Sequence, residues 1–184
     1  MRNLSIALIF IMTLTTGIAH AKGVKAPSGD SIVDIAMSTG VHNVLVDLVI
    51  EAGLDGVLAN EGQFTVFAPT DAAFGTDADG VIELLEGICG EDDAISALTN
   101  VLLHHVTDGR RFSNSVLGKR SPKPVEMLNG EYIWVDSDGS IIDGASNSGS
   151  SIIVADGFYD VSASNGVVHV IQDAVLFPAT VCPE

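Results

Sequence analysis

The chain is poor in positive charge: of its 184 residues, 8 are Lys or Arg and 24 are Asp or Glu, a formal net charge of −16 at pH 7. Proteins that bind nucleic acids or anionic membrane surfaces hold the phosphates mainly through Lys and Arg side chains. The composition therefore argues against nucleic acid and against an anionic membrane surface as partners. Excess charge of one sign also keeps a domain soluble, so the acidic surface alone indicates no ligand.

The sequence also lacks the motifs that place a nucleophile, a zinc ion or a nucleotide. It has no Gly-x-Ser-x-Gly elbow, no His-Glu-x-x-His pair and no phosphate-binding glycine loop with its lysine. These absences leave the sequence without a residue pattern for an enzyme, a cofactor or a metal, although missing motifs do not exclude an enzyme. Carboxylates are abundant, and two of them facing each other across a cleft could act as acid and base. A small hydrolase of envelope polymers stays open as an alternative, as does a purely structural envelope or biofilm protein.

No apolar run reaches the roughly 20 residues that a membrane-spanning helix needs. The run from Leu4 to Ile18 has about fifteen residues, follows the cation of Met1-Arg2-Asn3 and precedes Ala19-His20-Ala21, which fits a small-x-small cleavage site. Residues 1–21 are thus predicted to be a signal peptide, and the mature protein to be secreted or periplasmic with no transmembrane segment. The mature chain is then expected to consist of a flexible N-terminus (22–27), one domain (28–178) and a C-terminal extension (179–184).

Two segments about a hundred positions apart carry most of the information on the fold. The first, Phe64 to Phe74, predicts a buried strand that ends at Pro69, followed by a short helix that the Thr70 hydroxyl caps. The second, Asn165 to Pro178, predicts a tight turn followed by a strand rich in β-branched residues. Asn165-Gly166 would supply the two positive-φ positions of a hairpin turn.

In these segments the chain resembles the fasciclin (FAS1) domain family, and the resemblance covers roughly residues 28–178. It implies an α+β wedge, with a mostly antiparallel β-sheet or sandwich and helices packed on one side. It also implies a non-catalytic binding or adhesion module for a cell-surface or matrix protein or a polysaccharide. His104 and His105 fall where family members carry a Tyr-His pair implicated in adhesion, with His104 in place of the tyrosine. Adjacent residues point in different directions, which favours core or turn histidines over a chelating pair.

Hydrophobic spacing predicts helices first and strands later. Ser31 should cap a first helix together with Asp34, and a later helix should run from about Glu91 to Leu103. The apolar residues expected on the buried face of that later helix are Ile95, Leu98 and Leu102. Short strands follow Pro124, separated by hairpin turns at Asn129-Gly130, Asp138-Gly139 and Asp156-Gly157. This segregation indicates an α+β domain, with core candidates Phe64, Val66, Phe67, Leu98, Leu102, Val168 and Val170.

Two Asp-rich stretches raise the question of a calcium site. Asp136 begins a calcium-loop pattern, but such a loop needs glycine and glutamate where this chain has Ile141 and Asn147. We therefore predict a hairpin turn there. The stretch 77–80 fails the same test and is interpreted as a solvated loop before a helix that starts near Val81.

Cysteine is scarce: only Cys89 and Cys182 are present, and both lie in the predicted mature chain. An exported protein meets an oxidising environment, so we predict a disulfide between them. This bond would tie the C-terminal extension back to the helical half. Two unpaired, buried thiols are the alternative.

The few cations are concentrated in one segment. Apart from Lys22 and Lys25, every cation of the predicted mature chain lies within residues 110–123. They are Arg110, Arg111, Lys119, Arg120 and Lys123. On an acidic domain this segment would attract an anionic ligand, such as an acidic exopolysaccharide or a partner's carboxylates, and the arginine side chains could grip it. The alternative is a hydrated connecting segment that pairs locally with the acidic surface.

Overall fold

Helices dominate the first part of the chain and strands the second, as the change in periodicity predicts. The structure, a computed structural model, describes residues 29–60, 62–117, 122–143, 150–152 and 158–182. The helices are α1 (Ile32–Thr39), α2 (Asn43–Glu51), α3 (Asp55–Asn60), α4 (Asp71–Phe74), α5 (Ala78–Cys89), α6 (Ala94–Leu103) and α7 (Ser113–Val116). The strands are β1 (Phe64–Pro69), β2 (Val106–Asp108), β3 (Lys123–Glu126), β4 (Tyr132–Val135), β5 (Ile141–Ile142), β6 (Ser151–Ile152), β7 (Val161–Ala163) and β8 (Gly166–Gln172).

Several sequence predictions fall outside these ranges. They are the signal peptide, the mature N-terminus at 22–27, Lys119, Arg120 and the Asp156-Gly157 turn. Among the helices of the described ranges, none combines the length and the apolar character needed to cross a membrane.

Helix α1 begins with the predicted capping box. The Ser31 hydroxyl accepts a hydrogen bond from the Asp34 amide at 3.2 Å, and the Asp34 carboxylate accepts one from the Ser31 amide at 2.9 Å. This reciprocal pair satisfies two of the amides that a helix leaves without partners at its start. The prediction of this helix start is confirmed.

Helices α5 and α6 begin elsewhere than predicted. The Asp77 carboxylate accepts a hydrogen bond from the Gly80 amide at 3.0 Å, so residues 77–80 start α5 and are not a loop. Helix α6 begins at Ala94, three residues after the predicted start at Glu91. Ile95, expected to be buried, is 40% exposed because it lies in the first turn, at the margin of the face that packs inward.

The helix after β1 is also held differently from the prediction. Thr70 occupies the position before α4, but its hydroxyl makes no capping hydrogen bond. The neighbouring Asp71 instead accepts hydrogen bonds from the Val44 amide at 2.9 Å and from the Asn43 side-chain amide at 2.8 Å. Asp71 thereby caps α2, whose own preceding residue, His42, makes no side-chain cap.

The strands form two sheets. The first has the order β2-β1-β8-β6, with β7 also paired to β8, and the second has the order β3-β4-β5. The central pair β1–β8 is parallel, in register from Phe64 opposite Gly166 to Pro69 opposite Ile171, and the other strand pairs are antiparallel. The predicted α+β class with a mostly antiparallel sheet is confirmed.

The first sheet lies between the helices and the second sheet. Successive side chains of a strand point to opposite faces, so Phe64 and Val66 of β1 pack against the helices while Phe67 packs toward the second sheet. Two apolar clusters result, one on each face. All the predicted core residues, from Phe64 to Val170, are buried. Helices α1 to α6 thus cover one side of a sandwich, as expected, while Val116 of α7 packs into the cluster on the other side.

The Asn165-Gly166 pair has a different role from the predicted one. The β7–β8 hairpin exists, but its turn is made by Ser164 and Asn165, and neither Asn165 nor Gly166 has positive φ. Gly166 is needed because a Cβ there would stand 2.3 Å from the Phe64 carbonyl oxygen. The buried Asn165 side chain accepts from the Ile32 amide at 2.9 Å and donates to the Leu58 carbonyl at 2.5 Å. It fastens α1 and α3 to the hairpin.

The turns predicted in the second sheet are confirmed. Gly130 and Gly139 have φ of 85° and 93°, values that favour glycine. The Asp138 carboxylate accepts hydrogen bonds from the Ser140 amide at 2.9 Å and from its hydroxyl at 2.6 Å. These bonds lower the pKa of Asp138 below its usual value. The Asp-rich stretch is therefore a hairpin turn, as predicted.

Candidate functional site

The predicted cationic segment follows β2 and leads through α7 into β3. Three of its five cations lie in the described residues, and each donates a hydrogen bond to a main-chain carbonyl. Arg110 donates to the Ala163 carbonyl, at the end of β7, and Lys123 donates to the Ser115 carbonyl, in α7. Arg111 donates from Nε to the Asp108 carbonyl at 3.1 Å. Arg110 lies exposed, whereas Arg111 and Lys123 are half-buried.

These bonds hold the polar ends of the three cationic side chains against main-chain carbonyls of β7, β2 and α7. A guanidinium carries five N–H donors and an ammonium three, so one carbonyl bond leaves donors on each side chain. The arrangement is therefore compatible with contacts to an anion. Whether Lys119 and Arg120 join the same surface stays a prediction.

Helix α7 is held in place by Asp160, the residue that precedes β7. The Asp160 carboxylate accepts hydrogen bonds from the Ser113 amide at 2.5 Å and from its hydroxyl at 2.6 Å. Asp160 has φ of 54°, a left-handed conformation that Asp adopts more readily than most residues. The contact caps the first turn of α7 and holds the start of this helix beside the residues that precede β7.

His169 joins the same network from β8. Its Nε2 donates to the Arg111 carbonyl at 2.8 Å, and its Nδ1 accepts from the Asp160 amide at 3.3 Å. Burial lowers the pKa of His169, which favours the neutral imidazole. The buried ring thus fixes the backbone of Arg111 without contributing a charge to the surface.

Ser113, Asp160 and His169 are the residue types of a hydrolase triad, but their connections differ. In a triad the imidazole lies between the carboxylate and the hydroxyl, and it removes the hydroxyl proton. Here the Ser113 hydroxyl donates to Asp160, and His169 Nε2 is bound to the Arg111 carbonyl. His169 is therefore not placed to remove the Ser113 proton, and the cluster does not support the hydrolase alternative.

His105, which matches the histidine of the family's Tyr-His pair, is a core residue. Its side chain lies between α6 and the C-terminal segment, and the residue is only 2% exposed. Nδ1 donates to the Val101 carbonyl at 2.8 Å, and Nε2 accepts from the Leu176 amide at 3.0 Å. Burial lowers the pKa of His105 to about 4, so the ring is neutral at pH 7.

His104 is buried as well, with no exposed surface. Its Nδ1 donates to the Asn129 side chain at 3.2 Å, and its Nε2 has no hydrogen-bond partner. Burial lowers its pKa. The two rings thus reach different partners, and the described part of the chain contains no group of three potential metal ligands. Neither ring can touch a partner protein without a rearrangement of the core.

The disulfide predicted from the two cysteines is present. Cys89, the last residue of α5, is bonded to Cys182 with a Cα–Cα distance of 5.4 Å. The Asn100 side chain also donates to the Thr180 carbonyl at 2.6 Å, and the Glu131 carboxylate accepts from the Ala179 amide at 2.6 Å. The C-terminal segment is therefore attached to both the helices and the second sheet.

The sequence did not reveal Asp160 or Asn165 as organising residues. Asp160 caps a helix 47 positions away, and Asn165 bonds to residues 133 and 107 positions away. An isolated Asp or Asn in a loop gives no signal of such distant partners. The Asn165-Gly166 pair did indicate the β7–β8 turn, but Asn165 matters there for its side-chain hydrogen bonds and not for positive φ.

The fold and this arrangement define the class of the protein. The chain belongs to the fasciclin domain family, whose model matches residues 40–178. The Synechocystis sp. protein sll1735 is 34% identical over 146 residues, covering 79% of this chain and 97% of that protein. Human periostin is 30% identical over 165 residues, covering 89% of this chain and 18% of periostin. A FAS1 domain pair from the insect cell adhesion molecule Fasciclin I matches with a TM-score of 0.55 and 16% identity, covering 80% of this chain and 51% of that one.

Proposed function

We propose that the protein is an exported, non-catalytic binding and adhesion module that holds an anionic cell-surface, matrix or exopolysaccharide component on residues 110–123. Membership of the fasciclin domain family over residues 40–178 carries this proposal. Periostin is a relative, and a chain of similar fold comes from a cell adhesion molecule. Interaction, rather than chemistry, is what this family membership favours.

The charge distribution supports an anionic ligand. In an acidic domain, Arg110, Arg111 and Lys123 gather along one stretch of chain next to Lys119 and Arg120. The cap on α7 and the buried ring of His169 hold the backbone at Ser113 and Arg111 in place. A cation on a backbone that is already held in place loses less conformational entropy on binding than one on a mobile loop. The bonding of His169 Nε2 to the Arg111 carbonyl, and not to the Ser113 hydroxyl, supports the non-catalytic part of the proposal.

A charge-matched pair of variants tests the binding surface. The first replaces Arg110, Arg111 and Arg120 by Gln and lowers the net charge by three. The control introduces the same change elsewhere, through Ser38→Glu, Gly87→Glu and Ser96→Glu, at positions that are all exposed. Binding of the mature protein to alginate is measured by biolayer interferometry at 50 and 500 mM NaCl, with dextran as the neutral polymer.

Exposed ion pairs contribute about 0.2 to 1 kcal/mol each, so we expect the Arg-to-Gln variant to bind alginate about tenfold more weakly than the parent. The control should lose much less, because its added charges lie away from the segment. Binding should weaken as salt rises, since mobile ions screen exposed charges. Equal losses in the two variants, or parent binding that is indifferent to salt, would contradict the proposal.

Export is tested separately. We expect the protein isolated from the periplasm or the medium of a producing cell to begin at Lys22, and intact mass measurement determines that terminus. A chain that retains residues 1–21 and stays in the cytoplasm would overturn the proposed export without affecting the binding surface.

A further inference from the structure

The helical side of the fold encloses an apolar cavity that the proposed binding surface does not use. Its volume is about 320 Å³, and it lies where α2, α4, α5 and α6 meet the C-terminal segment after β8. Leu48, Phe74 and Leu85 form part of the wall on the helical side. Val175 and Phe177 form the wall on the side of the C-terminal segment.

The walls carry no charge. Although the chain has 24 Asp and Glu residues, none of the residues that line the cavity is acidic, and none is Lys or Arg. The polar side chains of the lining are Thr76 and His105. Both ring nitrogens of His105 are already bonded, to the Val101 carbonyl and the Leu176 amide. A charged group inside this cavity would therefore find nothing to replace its hydration.

The size of the cavity suits a ligand rather than a packing defect. Protein interiors are packed so closely that voids larger than a water molecule are few. An apolar cavity of about 150 Å³ stays dry and takes up benzene, and ligand pockets begin at about 300 Å³. The present cavity is about twice the benzene-binding size, so it can hold a medium-length alkyl chain.

The wall formed by the C-terminal segment is fixed. The Leu176 amide is bound to His105 at 3.0 Å, and the Cys89–Cys182 disulfide attaches the following residues to α5. A ligand would therefore meet a cavity that exists before binding, which lowers the entropy lost on association.

The charge of the domain disfavours anions at the opening of the cavity. Leu84 is 53% exposed and Thr76 is also exposed, so the cavity reaches the surface at these residues. The chain carries a formal net charge of −16 at pH 7. An anionic head group at this opening would be repelled by that charge, whereas a neutral one would not.

We propose that this cavity is a binding site for the hydrocarbon chain of an uncharged amphiphile, such as a medium-chain alcohol. The apolar walls take the hydrocarbon chain, and the neutral head group stays in water at the opening of the cavity. The site is separate from residues 110–123, so the two proposals stand or fall independently.

The test compares 1-decanol with decanoate, which share a chain length and differ in the charge of the head group. Binding to the mature, disulfide-bonded protein is followed by displacement of Nile red at pH 7.5. We expect decanol to bind and decanoate to bind at least tenfold more weakly. Absence of decanol binding would overturn the site, and equal affinities would overturn the selection by charge.

Neighbouring alanines provide a matched pair of variants. Ala73 lines the cavity, whereas Ala72 is exposed and does not. Ala73→Phe should fill the cavity and weaken decanol binding at least tenfold, and Ala72→Phe should leave the affinity within about twofold of the parent. If Ala73→Phe fails to fold, Ala174→Phe fills the cavity from the other wall. If a cavity-filling variant folds and still binds decanol with the affinity of the parent, the ligand does not bind in this cavity.

Discussion

Acidification should destabilise the fold through His105. In the folded state this ring is neutral, with Nδ1–H donating to the Val101 carbonyl and Nε2 accepting from the Leu176 amide. Protonation would place a second N–H against the N–H of Leu176 and would put a charge into the core. Burial of the ring, which disfavours its charged form, lowers the pKa of His105 from 6.5 to about 4.

The sign and the size of the effect follow from this shift. Because the folded-state pKa lies below the unfolded value, His105 stabilises the fold fully above pH 6.5 and loses that contribution as the pH falls toward 4. One pKa unit corresponds to about 1.4 kcal/mol, so the loss between pH 7 and pH 4 amounts to about 3 kcal/mol. Burial lowers the pKa values of His104 and His169 too, so they add to the loss in the same direction.

Urea unfolding followed by circular dichroism at pH 7, 6, 5 and 4 measures this loss in the parent and in His105→Gln. Glutamine offers an acceptor to the Leu176 amide but does not titrate in this range. We expect the variant to be less stable at pH 7, while the parent loses about 3 kcal/mol more than the variant between pH 7 and pH 4. Parallel stability curves for the two proteins, or an NMR titration of His105 with a midpoint near 6.5, would refute the reasoning.

Three further variants, one of them with a matched control, have defined outcomes in urea unfolding. Replacing Cys89 and Cys182 by Ala opens a loop of 93 residues and should lower the free energy of unfolding by at most about 4 to 5 kcal/mol. Unchanged stability would show that the disulfide does not stabilise the fold. Gly166→Ala should cost at least about 1 to 3 kcal/mol, because the new Cβ meets a β1 carbonyl, whereas Gly87→Ala, which points into open space, should not destabilise α5. Asn165→Asp removes a buried donor and places a carboxylate against the Leu58 carbonyl of α3, so the free energy of unfolding should fall by at least about 1 kcal/mol. A smaller loss would contradict the role of Asn165 in fastening α3 to the β7–β8 hairpin.

The parts of the fold that depend on neighbouring residues were predictable. The capping box of Ser31 and Asp34, the glycine turns at Gly130 and Gly139, and the β1 strand all follow from spacing within a few residues. The cysteine pair could be predicted because two cysteines allow one intramolecular bond. The positions of the few Lys and Arg residues in the sequence were likewise enough to identify the cationic segment of the candidate site.

The remaining features depend on contacts between distant residues. Asp71 caps α2 across 27 positions, so Thr70, which stands before α4, was the wrong residue to single out. The burial of His104 and His105 depends on Asn129 and on the C-terminal segment, which their own neighbours do not reveal. No local sequence pattern predicts the apolar cavity, because its walls come from four helices, the end of β1 and the segment after β8.

The position of β8 in the first sheet has a consequence for the order in which the domain can fold. In the described residues this strand makes three of the four pairings of its sheet, with β1, β6 and β7, and its partner β1 lies about a hundred positions earlier in the chain. Pairing across such a separation is slow, because a long loop must close first. While residues 166–172 are still on the ribosome, the helices have no complete sheet to pack against. The chain should therefore stay unfolded until its synthesis is nearly finished, a delay that would suit the export proposed above, since an exported chain crosses the membrane before it folds.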